Sequence, residues 1–326
     1  MPVPVSHPAP AEATGRSATR RRLTGAWLRT RRVVVAYLGL TKTRIIEQLL
    51  VVTVPAMFLA ARGVPSLSLV AATLVGGAGA AASAHALNCV IDADIDVKMK
   101  RTARRPLAKG QVPPAHALVF GLVLAGLSTV WLWLTTNQLA AGLAVTAIAF
   151  YVLVYTLVLK RRTPQNIVWG GAAGCMPVVI GWAAVTGSVG WPALVMFGVI
   201  FFWTPPHFWA LAMRYRDDYA AAGVPMLPVV ATPEQVSRRI VIYAWVMAVW
   251  SLLLLPATSW IYAVVAVGSG GWFVLRAHRL HAGVAAGREV APMKLFHLSN
   301  MYLCTLFIAI AIDAAVGLPV LGLPTF

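Results

Sequence analysis

LSLVAATLVGGAGAAASAHALNCVIDADIDVKMKRTARRPLAKG, residues 67–110, runs from Leu67 to Ile91 without a charged side chain and then crowds three aspartates and six basic residues into positions 92–110. At about 1.5 Å of rise per residue the uncharged part is long enough to cross roughly 30 Å of hydrocarbon as an α-helix. The sudden arrival of charge marks where such a helix meets water. Nothing in it alternates as a barrel strand does, so the segment reads as a transmembrane helix.

Working outward, the same pattern recurs along the chain. Apolar stretches of membrane-crossing length lie at about 45–61, 67–91, 116–134, 138–159, 166–186, 191–213, 239–256, 258–275 and 295–316. Composition agrees: of 326 residues 59% are apolar and only 11% charged, with mean hydropathy +0.76, against about 25% charged residues in soluble domains. Soluble, disordered and collagen-like classes are excluded. The three cysteines, Cys89, Cys175 and Cys304, are scattered without a CxxC pair and imply neither a disulfide framework nor a zinc site. The expected fold is an all-α integral membrane protein of nine spans, in a single domain over 37–326.

The charge is +17, from 27 Lys and Arg against 10 Asp and Glu. In a soluble protein that would point to nucleic acid; here its placement matters more, and no nucleic-acid partner is expected. Every basic residue except Arg62 falls in the N-terminal tail, just before span 1 or after an even-numbered span. The positive-inside rule then puts the N-terminus in the cytoplasm and the C-terminus outside, in a cell membrane with anionic lipid as neighbour. Residues 1–36, rich in Pro, Ala and Arg, read as a disordered basic cytoplasmic tail. The Arg20-Arg21-Arg22 run is no twin-arginine address, because Arg29, Arg31, Arg32, Lys42 and Arg44 interrupt the apolar stretch that such an address requires next to it.

With only ten acids, their clustering carries the functional reading. Asp92, Asp94 and Asp96 end span 2, and Asp217 and Asp218 end span 6. Spans 2 and 6 run in the same direction, so both acidic ends lie on one side, as in two similar four-helix halves facing each other, with a ninth helix after them. Asn88, Asp92 and Asp96 are spaced i, i+4, i+8 and share one helical face, with His85 a turn deeper; Asp94 points elsewhere. Two carboxylates and an amide oxygen on one stripe are hard ligands suited to Mg²⁺, which commonly bridges carboxylates to phosphate oxygens. The basic residues just beyond them supply the forks that grip such oxygens, so the stretch suggests a diphosphate site. In span 6, Pro205 and Pro206 are expected to break the helix inside the membrane. His207, beside Trp203, Phe208 and Trp209, is a candidate to bind a cofactor or substrate.

These residues resemble a known family. LTKTRIIEQLLV (40–51), NCVIDADIDVKMKRTARRPLAKG (88–110), LKRRTPQNIVWGGAAGCMPVVIGWAA (159–184), WTPPHFWALAMRYRDDYAAAGVPMLPVV (203–230) and LFHLSNMYL (295–303) are similar to the protohaem IX farnesyltransferases, a branch of the UbiA-type intramembrane prenyltransferases. The resemblance implies a nine-helix bundle that joins farnesyl, delivered as farnesyl diphosphate, to the 2-vinyl group of haem B, giving haem O. It implies Mg²⁺ as cofactor, held by Asn88, Asp92, Asp96, Asp217 and Asp218. Where other members carry Asp-x-x-x-Asp at the second motif, this chain has Tyr215 and Tyr219 around Asp217 and Asp218, which leaves open which acid of span 6 meets the metal. Lys42, Arg44, Lys100, Arg101, Arg104, Arg105 and Lys160 are implied for diphosphate, Tyr215 for catalysis, and His207, His85 and Trp203 for haem. Haem A synthase or oxidase assembly proteins are implied partners. Trp203, Phe208 or Tyr215 would shelter an allylic cation. Two readings stay open beside it: a related prenyltransferase acting on an aromatic or quinone precursor, and a transporter using Glu47 or Asp313 as an intramembrane charge.

Overall fold

The computed structural model describes Trp27 and residues 30–322, except the side chains of residues 44, 45, 47 and 50. Among the described residues the chain is helical throughout, with no strand. Eight helices are long and apolar enough to cross a membrane: α3 (Leu67–Ile91), α5 (Pro114–Thr135), α6 (138–159), the pair α7 (Asn166–Gly170) and α8 (Ala172–Thr186), α9 (Trp191–Arg214), α12 (Pro233–Ser251, extended to Ala257), α13 (Trp260–Ala285) and α14 (Pro292–Val316). A ninth, α2 (Thr43–Ala61), has its apolar part confined to Val51–Ala61. Short helices α4 (Ala93–Asp96), α10 (Arg216–Ala221) and α11 (Leu227–Val230) lie where α3 and α9 end.

Neighbours repeat between halves: α2–α3, α3–α5 and α5–α6 pack in sequence, and so do α8–α9, α9–α12 and α12–α13, while α14 fills the seam against α9, α13 and α2. The largest core joins α2, α8, α9, α12, α13 and α14 through residues such as Met196, Trp209, Ile240, Tyr262, Phe273 and Phe307. Outward faces remain apolar, with Leu122, Trp133, Val264, Val267 and Ile312 exposed, the surface a bilayer covers.

Polar residues fix the helix ends. Ser66 accepts from the Leu69 amide and Asn137 from that of Ala140. Thr232 and Gln235 form a reciprocal capping box on α12. α12 and α13 extend beyond their apolar stretches because exposed Arg238, Arg239, Arg276 and Arg279 carry those turns into water.

The structure corrects two expectations. Residues 30–41 form a helix, α1, so the disordered tail does not reach residue 36; residues 1–26, 28 and 29 lie outside the described residues. After Arg31 and Arg32 the helix carries no charge, and it has an apolar face: Ala36 and Leu40 are buried against Ala86, Cys89, Val112 and Ala117, and Tyr37 meets Phe120 edge-on at 5.0 Å. Second, α9 runs unbroken from Trp191 to Arg214 with Pro205 and Pro206 inside it. The prolines remove two N–H donors, but buried packing on both sides holds the helix, and Thr204 donates its hydroxyl to the Ile200 carbonyl at 2.8 Å.

Candidate active site

The stripe at the end of α3 is buried. Asn88 is 2% exposed, Asp92 0% and Asp96 2%, whereas the Asp94 side chain is 60% exposed. Asp92 ends α3 and begins α4, yet helical bonds pass across it, from the Asp92 amide to Asn88 and from the Asp96 amide to Asp92, both 2.9 Å. The i, i+4, i+8 face therefore survives the junction.

Cations close over this stripe. Lys160 pairs with Asp92 Oδ2, and Arg161 lies 3.8 Å from its Oδ1. Arg105 Nη1 donates to both oxygens of Asp96, at 2.7 and 2.6 Å. Arg161 forks onto Asp94 at 2.8 and 2.7 Å, and those bonds hold the Asp94 carboxyl below its ordinary value. Lys42 donates to Asn88 Oδ1 at 2.7 Å. It reaches inward because its backbone is left-handed (φ 52°), a conformation uncommon for a side chain of this size, at the break between α1 and α2. Burial, with Arg105 and Lys160 nearby, lowers the Lys42 ammonium to about 7. Asn88 donates to Asp92 Oδ2 at 2.7 Å and to Thr156 at 3.1 Å. Asp92 Oδ1 remains buried with no hydrogen-bond partner, an acceptor that calls for a donor or cation from outside the folded chain.

Lys160, Thr156, Tyr155 and Tyr151 are brought to this face by a wide turn that the sequence did not announce. Phe150–Leu159 winds as a π-helix, with Thr156 Oγ1 donating to Tyr151 O and the Lys160 amide to Tyr155 O, each over five residues at 2.8 Å. Tyr151 and Tyr155 lie 5.3 Å apart ring to ring, and Tyr151 meets the His85 ring edge-on at 5.5 Å. Tyr155 presses so closely on α7 that a Cβ on Gly170 would stand 2.1 Å from its ring.

The second acidic end is more open. Asp217 is exposed and Asp218 half-buried; with Lys100, Arg101, Arg104, Arg214 and Tyr215 they line a cleft of about 480 Å³. Asp218 Oδ2 accepts from the Arg101 amide at 3.1 Å, and the Arg101 guanidinium lies over Tyr215 and Tyr219, 6.0 and 5.8 Å from their centroids. The loop after α4 thus joins the ends of α3 and α9. The five expected metal ligands do not converge: among the described residues no three acids, histidines or cysteines form a metal-sized group. Each carboxylate of the α3 end is instead turned onto its own cation. Of the expected diphosphate residues, Lys42, Arg105 and Lys160 surround the stripe, and Lys100, Arg101 and Arg104 the cleft; the Arg44 side chain lies outside the described residues.

His207 sits apart from both, buried between α9 and α14. Trp203 stacks on one side at 4.1 Å and Phe296 on the other at 4.3 Å. The Ser299 hydroxyl donates its proton to the Phe296 carbonyl at 2.6 Å, so its oxygen accepts from His207 Nδ1–H at 2.7 Å. That bond assigns the tautomer and leaves Nε2 with its lone pair. Trp203 faces His207 and gives its N–H to Ser299 O at 2.7 Å, and Phe208 meets His207 edge-on, so these two serve the imidazole. The aromatic rings at the α3 end are Tyr151 and Tyr155, while Tyr215 lines the cleft with Asp217 and Asp218. Sequence reasoning gave no role to Tyr151, Tyr155, Thr156, Arg161 or Ser299; YTLVLKRR (155–162) held a signal for Tyr155, Thr156 and Arg161, basic residues directly after an aromatic turn, and Ser299 stands in LFHLSNMYL (295–303).

Comparison with known proteins agrees with this geometry. The model of the UbiA prenyltransferase family matches residues 49–314. The chain is 66% identical over 289 residues to protoheme IX farnesyltransferase 2 of Saccharopolyspora erythraea, covering 89% of each chain. It is 61% identical over 302 residues to the protoheme IX farnesyltransferase of Mycolicibacterium smegmatis, covering 93% of this chain and 98% of that one. Among solved structures it shares its fold with a digeranylgeranylglyceryl phosphate synthase (TM-score 0.71, 15% identity, 87% and 99% covered). A UbiA homologue from Archaeoglobus fulgidus bound to GPP and Mg²⁺ is also alike (TM-score 0.60, 16% identity, 86% and 99% covered).

Proposed function

The chain belongs to the UbiA prenyltransferase family, and we infer that it transfers farnesyl from farnesyl diphosphate to the 2-vinyl group of haem B, giving haem O. The observation that carries the transferase chemistry is the buried Asp92, one oxygen unpartnered and ringed by Lys42, Lys160 and Arg161 at the mouth of an apolar helix bundle. The identity to protoheme IX farnesyltransferases supports haem as the acceptor. The residues fit Mg²⁺: Asn88, Asp92 and Asp96 from one end, with Asp217 or Asp218 from the other, offer oxygen donors, and Asp92 Oδ1 is free to take an ion. When bound, Mg²⁺ supplies charge neutralisation to the leaving diphosphate.

The chain's own groups do the rest. Lys160, Arg105 and Arg161, now turned onto carboxylates, swing onto diphosphate oxygens, where they stabilise the negative charge that develops as the allylic carbon–oxygen bond breaks. Lys42 stays protonated beside that anion. Arg101, with Lys100 and Arg104, guides diphosphate through the cleft. Tyr151 and Tyr155 present aromatic faces to the positive charge on the isoprenyl chain, and the outer apolar faces hold the tail in lipid. His207 ligates haem iron through Nε2, its orientation fixed by Ser299. The protein spans the cell membrane with its acidic face in the cytoplasm, and haem A synthase or an oxidase assembly factor receives the product.

The test is incubation of the purified protein with haem B, farnesyl diphosphate and Mg²⁺. Haem O by mass is expected, with no product from 4-hydroxybenzoate; prenylated 4-hydroxybenzoate without haem O would overturn the acceptor, and substrate uptake into vesicles without diphosphate release would overturn the transferase.

A further inference from the structure

His85 is 5% exposed, and neither ring nitrogen has a hydrogen-bond partner. Leaving both nitrogens of a buried imidazole unserved costs free energy, so the site is shaped for a partner the folded chain does not provide. The position defines that partner. On α3, His85 is within about 20° of Asp92 around the axis and about 4.5 Å deeper than Asn88 along it, toward the middle of the membrane. Its ring edge abuts Tyr151, whose neighbour Tyr155 precedes Thr156, the residue bonded to Asn88. His85 is thus about one helical turn below Asn88, the deepest of the oxygen donors proposed for Mg²⁺, on the side from which the carbon leaving diphosphate would form its new bond.

We propose that His85 is a further catalytic residue, the base that takes a proton from the water added to the haem vinyl group. The inference rests on the farnesyltransferase reading above. The farnesyl C1–oxygen bond breaks and its electron pair leaves with diphosphate. The vinyl π pair then bonds the terminal vinyl carbon to farnesyl C1 and leaves positive charge on the vinyl carbon attached to the macrocycle. A water oxygen bonds that carbon; one of its protons passes to the lone pair of the His85 imidazole and on to the released diphosphate, and the other remains on the new hydroxyl. Nothing is oxidised or reduced. A neutral imidazole suits the task because it can hold the water through its N–H donor in one orientation and accept its proton at the other nitrogen. Without a base, the same cation discharges by losing a proton from the adjacent carbon, and the product is a farnesylated haem lighter by one water.

Product identity therefore tests the assignment, since a packing role would not alter it. Full-length wild type, His85→Phe and His85→Gln, each checked for a single species in detergent, are incubated with haem B, farnesyl diphosphate and Mg²⁺, and diphosphate release is followed beside haem products by mass. In the variants, haem O formed per diphosphate released falls by about 10²-fold or more, the scale of a lost general base, and the dehydrated product replaces it. Unchanged haem O per diphosphate in either folded variant overturns the proposal, as does parallel loss of diphosphate release and haem O in both. His85→Gln keeps a donor and a similar volume and carries the test alone if His85→Phe does not fold. Wild type that makes no farnesylated haem refutes the transferase reading instead, which separates the two failures.

Discussion

Two carboxylates are buried at opposite ends of the bundle, and their surroundings differ in kind. Asp313, 4% exposed near the end of α14, accepts from the Ser259 amide at 3.0 and 2.9 Å, the Ser259 hydroxyl at 2.7 Å and the Tyr262 amide at 3.1 Å. It caps α13 with both oxygens engaged, the stabilising place for an anion at a helix N-terminus. Asp92, fully buried at the other end, is held by movable side chains and keeps one oxygen without a partner. A carboxylate satisfied by backbone has nothing left to offer a ligand; one held by long cations can exchange them for a substrate. Of the two intramembrane acids that a transporter reading would use, Asp313 is thus a structural cap, and the Glu47 side chain lies outside the described residues.

Substitutions at the two acids should separate these roles. Asp92→Asn is expected to lower haem O formation by about 10³-fold, as removal of a preorganised electrostatic group does, while folded protein still accumulates; an active enzyme would break the contrast. Asp313→Ala should cost about 2–3 kcal/mol, a lost cap plus unserved buried donors, read as a lower thermal midpoint in detergent with turnover per folded molecule unchanged. Ser299→Ala, which frees the His207 tautomer, should weaken haem binding by about tenfold, measured by spectral titration, with farnesyl diphosphate binding unaltered. Asp217→Asn, at an exposed position in the open cleft, should change turnover least, by about threefold or less, the range of a screened surface charge, if the half-buried Asp218 is the donor from that end; a larger loss assigns the donor to Asp217.

The contrast also marks what sequence can show. Asn88, Asp92 and Asp96 were legible because a helical period and a scarcity of acids leave few other readings, and the spans because bilayer thickness sets their length. α1 was hidden, since its uncharged run, residues 33–41, is too short to cross a membrane and buries only two apolar side chains, Ala36 and Leu40. Pro205 and Pro206 mislead because the local loss of hydrogen bonds is visible in the residue types, whereas the packing of α9 against its neighbours is not. Lys42 was recognisable as a cation near the site, but its inward path comes from a left-handed backbone that no residue type there requires. The partner of each carboxylate depended on which loop folds over which helix end, a matter of tertiary contact.

The π-helical segment at Phe150–Leu159 has a consequence for the ancestry of such a site. A π turn holds one residue more than an α turn in the same climb, so it is what remains when a single codon is inserted into a helix already anchored at both ends. Deleting one residue between Phe150 and Leu159 would let the segment close as an ordinary helix with its two ends in place, and would turn side chains within it by up to about 100° around the axis, parting Thr156 from Asn88 or Tyr151 from His85. A catalytic face spanning two helices can therefore be switched on or off by one indel.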